Sequence, residues 1–228
     1  MSGQLAFPLS VNDKASFDNF CVGHNIELVN VIQASVKTSE PKVVYFYGTQ
    51  SSGKSHLLFA ALRMAKEQAV TTSYLSLNDS YVTPDMLSVL DVKHLVCVDN
   101  VQAWAGDETK ERALFTLFEQ IKHANGQLII SAIQPPESSN FIIRDLVSRL
   151  SSGLIYPLNE LSEEQQFQVI KMRAKHRGLS IADEVVRYIL TRSSRNTGEL
   201  LALLDKVDHA SLVEKRKITI PFLQQILS

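Results

Sequence analysis

Short apolar runs alternate with helix-like stretches along the first two thirds of the chain. Each run consists mainly of β-branched, aromatic or aliphatic residues, which is typical of buried strands. The runs are Val43–Tyr47, Tyr74–Leu77, Leu95–Val98, Leu128–Ala132 and Leu154–Tyr156. Strands that alternate with helices form parallel sheets covered by helices on both faces. The pattern therefore predicts an α/β fold with a parallel five-stranded sheet.

The hydrophobic period changes after Pro157, because only helical patterns follow until the last residues. Ser162–Gln165 fits a capping box, and Asp183 is predicted to cap a second helix. A third helix is predicted from apolar residues at helical spacing, which are Leu200, Leu203, Leu204 and Val207. These signals predict an α/β base at residues 16–160, a small helical domain at residues 161–228 and a separate N-terminal segment at residues 1–15.

Composition narrows the class of protein. The chain has 228 residues, a net charge of −1 and two cysteines, Cys21 and Cys97, so neither a strongly basic surface nor a disulfide framework is expected. The N-terminus has no basic segment followed by a long apolar one, and no apolar run is long enough to cross a bilayer. We expect a cytoplasmic protein without a membrane partner.

The stretch Gly48–Ser55 matches the P-loop pattern Gly-x-x-x-x-Gly-Lys-Ser at every fixed position. A predicted strand precedes it and a predicted helix follows it. This context argues against the alternative, a flexible turn whose sequence fits the pattern by chance. In such a loop Lys54 reaches the β- and γ-phosphates and the Ser55 hydroxyl binds Mg²⁺. The predicted nucleotide-binding residues here are Gly48, Thr49, Gln50, Ser51, Ser52, Gly53, Lys54, Ser55 and His56.

An acidic residue, Asp99, ends the third apolar run. In P-loop proteins an acid at this place holds Mg²⁺, and the alternative is a solvated Asp at a strand end. The next residue is Asn100, where many related ATPases have a Glu that polarises the attacking water. General-base assistance contributes about 10²–10⁴-fold in rate, and an amide does not provide it. The sequence predicts a site that holds a nucleotide more than it cleaves one.

Two arginines, Arg144 and Arg149, lie between the fourth and fifth apolar runs. They are five residues apart, so they do not share one face of a helix closely. From the residues alone, either arginine is an ordinary surface residue or one that projects into the nucleotide site of a neighbouring subunit. Ser131 and Gln134, near the end of the fourth run, are further polar candidates.

The order of these motifs resembles that of AAA+ ATPases, and within them the AAA+ domain of the DnaA family. The stretches that carry the resemblance are Phe17–Asn25, Gly53–Leu58, Leu146–Leu150 and Gly153–Leu154. The resemblance implies a P-loop AAA+ base followed by a helical lid domain. It does not extend to a helix-turn-helix domain, which we expect to be absent.

The N-terminal stretch Gln4–Leu9 resembles the clamp-binding peptide of Hda-type inactivators of DnaA, whose pattern is Gln-Leu-x-Leu-Pro-Leu. Ile218–Phe222 and Arg173–Gly178 also resemble these proteins. The implied partners are DnaA and the DNA polymerase III sliding clamp (β subunit), with DNA reached only through the clamp. The implied clamp-binding residues are Gln4, Leu5, Phe7, Pro8 and Leu9.

The resemblance implies a negative regulator of replication initiation that stimulates hydrolysis of DnaA-bound ATP. Arg149 becomes a catalytic arginine finger acting in trans, and Val22 and Gly23 lie beside the adenine. The implied ligand is ADP or ATP with Mg²⁺, the metal being held by Ser55 and Asp99.

Two positions depart from the DnaA pattern. The sensor-2 arginine falls near Gly198, where Arg195 is the expected substitute in nucleotide binding, and Ile133 takes the place of the sensor-1 acid. Weak or no intrinsic ATPase activity is therefore expected. The identity of the resident nucleotide and the choice between monomer and homodimer stay open.

Two other function classes compete with this interpretation. The first is a self-sufficient DnaA-like ATPase or helicase-loader motor, which strong ATP turnover by the isolated chain would favour. The second is a small-molecule P-loop kinase. The long helical tail and the Ser148–Arg149 motif argue against a kinase, which usually places phosphate-binding basic residues in a lid within the α/β unit.

Overall fold

The computed structural model describes residues 15–38, 42–176, 178–179, 181–192, 198, 200, 203–207, 210 and 218–227. Contacts between residues divide the chain into two compact units. The first extends to Thr49 and resumes over Lys54–Leu158, and the second comprises Gln50–Gly53 and Asn159–Ser228.

A five-stranded parallel sheet forms the centre of the first unit, with the strand order β2-β3-β4-β1-β5. The strands are β1 (Val43–Tyr47), β2 (Thr72–Ser76), β3 (Leu95–Asp99), β4 (Gln127–Ala132) and β5 (Leu154–Pro157). The sheet confirms the predicted fold class. Strand β2 begins two residues earlier than its apolar run, because the polar residues Thr72 and Ser73 pair with Leu95 and Val96 of β3.

Helices cover the sheet of the first unit. They are α1 (Ile26–Thr38), α2 (Lys54–Glu67), α3 (Pro84–Ser88), α4 (Glu108–His123) and α5 (Arg144–Ser151). Short 3-10 turns at Phe17–Asn19, Val101–Trp104 and Pro136–Ser138 connect some of these elements.

Each face of the sheet has its own hydrophobic core, because successive side chains of a strand point to opposite faces. In β1, Val44 and Phe46 pack with apolar residues of α1 and α2, whereas Tyr45 packs with residues of α3, α4 and α5. Strands buried on both faces are continuously apolar, as is typical of parallel sheets. This explains why the strands are recognisable as apolar runs in the sequence.

The end of α4 is fixed by close backbone packing at Gly126. A Cβ atom at this position would lie 2.1 Å from the carbonyl oxygen of Val92, so no residue other than glycine fits. The preceding Asn125 has a φ of 54°, and the Gly126 N–H donates to Ile121 O at 2.8 Å. The Asn-Gly pair therefore ends the helix and leads directly into β4.

The second unit is helical in the residues described, with α6 (Glu163–His176), α7 (Asp183–Arg192) and α8 (Ile220–Leu227). The predicted capping box is confirmed: the Ser162 N–H donates to Gln165 Oε1 at 2.8 Å, and the Gln165 N–H donates to Ser162 Oγ at 3.3 Å. Asp183 was expected to cap α7 but is its first residue. Its carboxylate instead lies 2.7 Å from Lys171 Nζ, an ion pair that draws the side chain towards α6.

A third hydrophobic core holds the second unit together. It contains residues of α6, α7 and α8. It also contains three of the four residues predicted for the third helix, Leu200, Leu204 and Val207, all of which are buried. Its other buried members include Phe167, Ile170, Ala174, Val186, Ile189 and Leu223. Among the described residues, no helix combines the length and the apolar character that crossing a bilayer requires.

Candidate functional site

The P-loop connects the end of β1 at Tyr47 to the start of α2 at Lys54. The Gly48 N–H donates to Ala132 O at 3.1 Å, which fixes the start of the loop against β4. Ser51 and Gly53 have φ values of 61° and 102°, so the backbone turns sharply before the helix. The first N–H groups of a helix have no partner within the helix and carry a partial positive charge. The N-terminus of α2 is therefore suited to an anion.

Lys54 is a buried cation with neutral partners. The residue is only 6% exposed, and its Nζ donates to Gly48 O at 2.8 Å and to Thr49 O at 2.6 Å. Burial lowers the pKa of Lys54, and the charge of Asp99 acts in the opposite direction. A buried ammonium held by carbonyl oxygens gains most from an anionic ligand, because charge-assisted hydrogen bonds are the stronger ones.

Asp99, at the end of β3, is 1% exposed and accepts hydrogen bonds from three hydroxyl groups. Ser55 Oγ lies 2.5 Å from Asp99 Oδ2, and the Tyr74 hydroxyl lies 3.1 Å from the same oxygen. Ser131 Oγ donates to Asp99 Oδ1. Burial, followed by the charge of Asp99, raises the pKa of Tyr74, so the phenol keeps its proton and remains a donor.

The register of the sheet explains why these groups meet. Val98 pairs with Ile130, so Asp99 and Ser131 are the next neighbours across β3 and β4. Ser76 of β2 pairs with Asp99, and Tyr74, two residues earlier, lies on the same face as Asp99 and reaches it with its long side chain. Ser55 comes from the first turn of α2. The carboxyl ends of parallel strands are where ligands bind in α/β folds.

Asn100 follows Asp99 in a left-handed backbone conformation, with φ 58° and ψ 47°. Asparagine tolerates this conformation better than most residues. The Asn100 N–H donates to Ser131 Oγ at 3.1 Å, so the main chain is tied to the same serine that holds Asp99. Asparagine at this position thus suits the left-handed backbone. Its side chain also lacks the carboxylate that a general base needs.

The donors and acceptors fit a nucleotide with Mg²⁺. Within the described part of the chain, the buried Ser52 Oγ has no hydrogen-bond partner, and it lies in the loop between β1 and the positive end of α2. Ser55 and Asp99 bring a hydroxyl and a carboxylate together, and Mg²⁺ prefers such oxygen ligands. A buried ammonium and a helix N-terminus are donors typical of a phosphate site.

The segment before α1 contacts the start of α2 through His56. The His56 Nε2 lies 3.0 Å from Ser16 O, and its ring centroid is 5.4 Å from that of Phe20. Val22 is partly buried against the core that contains α1 and α2, and Gly23 follows it with a φ of 52°. The His56 ring is therefore engaged with the segment that carries the predicted adenine-binding residues.

Arg149 lies in the last turn of α5 and is more exposed than Lys54. Its side chain is 40% exposed, and its Nε is 2.9 Å from Glu119 Oε1 of α4. Arg144 is exposed at the start of the same helix.

Six predicted site residues, Gln4, Leu5, Phe7, Pro8, Leu9 and Arg195, lie outside the residues that the structure describes.

Two residues of these clusters, Tyr74 and Glu119, are not identified as site residues by the sequence. Ser131 is a polar candidate there, but its hydrogen bond to Asp99 is not predicted. Tyr74 and Ser131 are polar groups inside apolar strands, a weak signal that becomes specific only once the register is known. Glu119 is one of several acids on α4, and no local pattern separates it from the others.

Two family models match the chain. Residues 11–157 match the bacterial DnaA ATPase domain, and residues 163–227 match a domain described as the lid domain of Hda.

Several solved structures are similar. Domain III of the replication initiation protein DnaA from Thermotoga maritima is 20% identical with a TM-score of 0.82, covering 95% of this chain and 96% of that one. AMPPCP-bound DnaA from Aquifex aeolicus is 25% identical with a TM-score of 0.70, covering 85% and 65%. A RuvB mutant from Thermotoga maritima is 18% identical with a TM-score of 0.72, covering 92% and 70%.

Proposed function

Since the chain belongs to the bacterial DnaA ATPase family and continues into a lid domain of the Hda type, we propose that it switches off replication initiation. In this proposal the protein, docked on the DNA-loaded sliding clamp, stimulates hydrolysis of the ATP that DnaA holds. The observation that carries the proposal is the succession of the two matches along one chain. An Hda-type lid next to a DnaA-type base favours a regulator over an initiator.

The proposal gives the P-loop a holding role. Lys54, the start of α2 and the orphaned Ser52 hydroxyl bind the phosphates of ADP or ATP, and Ser55 and Asp99 hold Mg²⁺. When bound, Mg²⁺ neutralises phosphate charge. Val22, Gly23 and Arg195 complete the proposed nucleotide site. The proposed loop residues are Gly48, Thr49, Gln50, Ser51, Gly53 and His56.

Slow hydrolysis of the protein's own nucleotide follows from the side chains around Asp99. Asn100 has no carboxylate to accept a proton from water, and Ser131 donates to Asp99 while accepting from the Asn100 N–H. In the absence of a general base, the expected rate falls by about 10²–10⁴-fold relative to an ATPase that has one. The bound nucleotide then serves to stabilise one conformation of the protein.

Arg149 is proposed to act on the partner's ATP. A guanidinium that enters a neighbouring active site stabilises the charge that develops on the transferred phosphoryl group, and this contributes roughly 10³–10⁵-fold in related systems. Support comes from exposure: the Arg149 side chain is 40% exposed on α5, whereas the Lys54 side chain is enclosed in its own loop.

The N-terminal residues Gln4, Leu5, Phe7, Pro8 and Leu9 are proposed to bind the clamp, so that DNA is reached only through it. Replacing Gln4 and Leu5 by Ala should abolish clamp binding, because it removes one polar and one apolar anchor of a short peptide. ADP affinity and the thermal midpoint should stay within error of the wild type. Clamp capture in a pull-down, with calorimetry on the same samples, checks this prediction. Undiminished capture, or a large loss of stability, would show that the segment has another role.

The test of the proposed function is a single-turnover assay of ATP bound to DnaA. Three reactions are compared: DnaA alone, DnaA with this protein, and DnaA with this protein and clamp loaded on DNA. The proposal expects rapid hydrolysis only in the third reaction. Equal rates in all three would rule it out.

One observation favours a second candidate, a self-sufficient ATPase motor. Ser55 and Asp99 lie 2.5 Å apart in an arrangement that is competent for Mg²⁺, as an ATPase needs. Steady ATP turnover by the protein alone, with no increase in the hydrolysis of DnaA-bound ATP, would support the motor and exclude the regulator.

A further inference from the structure

Helix α5, which carries Arg149, is attached to α4 by two glutamates. Glu111 and Glu119 are eight residues apart on α4, which places them within a quarter turn of the same helix face and about 12 Å apart along its axis. One glutamate contacts the backbone before α5, and the other contacts Arg149 in its last turn. Side chains of α4 therefore contact both ends of the shorter helix.

Glu111 fixes the start of α5. It is fully buried, and its two carboxylate oxygens accept from the N–H groups of Gly106, Ile142 and Ile143 at 2.8–3.0 Å. Ile143 is the residue that precedes the first turn of α5. A carboxylate that accepts three backbone hydrogen bonds leaves the loop before the helix little freedom to move.

The buried face of α5 fixes its rotation. Leu146 is 0% exposed and Leu150 is 2% exposed, and both belong to the core that contains Leu117 and Phe118 of α4. Arg149 is adjacent to Leu150 in the sequence and projects from the rim of this packed face. The backbone at Arg149 is thus held in place before its side chain makes any contact.

Glu119 then holds the side chain. Its Oε1 is buried and, within the described part of the chain, has no aligned hydrogen-bond donor, so the guanidinium 2.9 Å away is the charge that compensates it. The contact is made through Arg149 Nε. Among the interactions that the described residues make, none occupies the two terminal nitrogens of Arg149, which are the donors that form a bidentate contact with phosphate oxygens.

We infer that Glu119 is a positioning residue that presents Arg149, holding its Nε so that the terminal nitrogens face outward for a phosphoryl group of the partner's nucleotide. The inference rests on the proposed function of Arg149 in trans. An arginine side chain loses considerable rotamer freedom when it is immobilised. Because Glu119 restricts the side chain beforehand, less of this loss remains for the encounter with the partner.

The test measures single-turnover hydrolysis of ATP bound to DnaA, with DNA-loaded clamp, at increasing concentrations of the full-length protein. Four variants are compared with the wild type: Glu119→Ala, Glu119→Gln, Arg149→Ala and the double variant Glu119→Ala with Arg149→Ala. Glu108→Ala is the matched control, because Glu108 is an exposed glutamate of the same helix and pairs with Arg112.

Glu119→Ala should lower the maximal rate by about tenfold, less than the roughly 10²-fold that a full 1 Å misplacement can cause. The concentration for half-maximal stimulation should stay unchanged. Glu119→Gln should fall between Ala and the wild type, because the amide keeps the shape and an acceptor oxygen. The double variant should be no slower than Arg149→Ala alone, since the glutamate acts through the arginine.

The outcomes separate the inference from the function that it rests on. If Arg149→Ala gives no stimulation while Glu119→Ala stimulates as fast as the wild type or faster, the positioning role of Glu119 is overturned. The proposed role of Arg149 would still stand. Full stimulation by Arg149→Ala would overturn the finger itself. Thermal midpoints and ADP affinities of all variants are measured in parallel. If Glu119→Ala fails to fold, Glu119→Gln decides: wild-type rates would contradict the inference, and a reduced maximal rate would support it.

Discussion

The nucleotide cluster (Lys54, Ser55, Asp99 and Ser131) and the proposed finger site (Arg149 with Glu119, called the finger site below) both depend on charged groups, but they are held in opposite ways. The acid of the nucleotide cluster is 1% exposed and has three hydroxyl donors. The arginine of the finger site has a side chain that is 40% exposed and forms an ion pair with Glu119. Moving a side chain that has many buried contacts costs much free energy. A side chain with a single contact at the surface can exchange that contact for one with a partner.

This difference matches the division of labour that we propose. A buried polar network that is fully satisfied is rigid, which suits a group that must retain a ligand. An exposed guanidinium with open terminal nitrogens suits a group that acts on another protein.

Glu111→Ala should have the largest effect, because it removes the buried carboxylate that supports the finger helix. The N–H groups of Gly106, Ile142 and Ile143 would lose their acceptor, and a hydrogen bond to a charged group contributes about 1.5–3 kcal/mol. The free energy of unfolding should fall by about 3–5 kcal/mol in urea titrations. Glu108→Ala, which removes an exposed ion pair on the same helix, should stay within about 0.5 kcal/mol of the wild type. Equal losses in the two variants would mean that Glu111 is no anchor.

Lys54→Ala should weaken ADP binding by about 10- to 100-fold, because the buried ammonium is the strongest donor in the loop. Calorimetry with ADP measures the effect. Lys66→Ala, which removes an exposed lysine from the last turn of the same helix, is the control and should leave the affinity unchanged. An unchanged affinity in Lys54→Ala would place the phosphates elsewhere.

Tyr74→Phe should have the smallest effect. It removes the donor 3.1 Å from Asp99 Oδ2 but leaves Ser55 and Ser131 on the carboxylate, and the ring contact with Phe59 at a centroid distance of 4.8 Å is retained. We expect a loss of about 1 kcal/mol in the free energy of unfolding. Thermal denaturation of the two proteins side by side measures it. A loss as large as that of Glu111→Ala would show that Asp99 depends on the phenol alone.

Much of the fold was predictable because its signals are local. Val43–Tyr47 is a continuous apolar run that is a strand with the same ends in the structure, and the adjacent residues Asn125 and Gly126 end α4. The capping box at Ser162 also formed as predicted. Asp183 differs from its prediction by one residue: it is the first residue of α7, and its carboxylate lies 2.7 Å from Lys171 Nζ.

Only those site residues that belong to a recognisable sequence motif could be predicted. Lys54, Ser55 and Asp99 were identified because a loop and a strand end mark them in the sequence. Tyr74 meets Asp99 through the register of β2 and β3, and Glu119 meets Arg149 across thirty residues. Contacts between distant elements depend on the fold, and a single sequence contains no local signal for them.

The most direct test of the central claim compares Arg149→Ala with Arg144→Ala, its neighbour on α5, in the hydrolysis of ATP bound to DnaA on DNA-loaded clamp. Both variants should fold and bind ADP as the wild type does, since both side chains lie at the surface of α5. The account predicts that Arg149→Ala loses nearly all stimulation, that Arg149→Lys restores little because an ammonium lacks the planar fork, and that Arg144→Ala stays active. Full stimulation by Arg149→Ala, or loss of stimulation confined to Arg144→Ala, would contradict it.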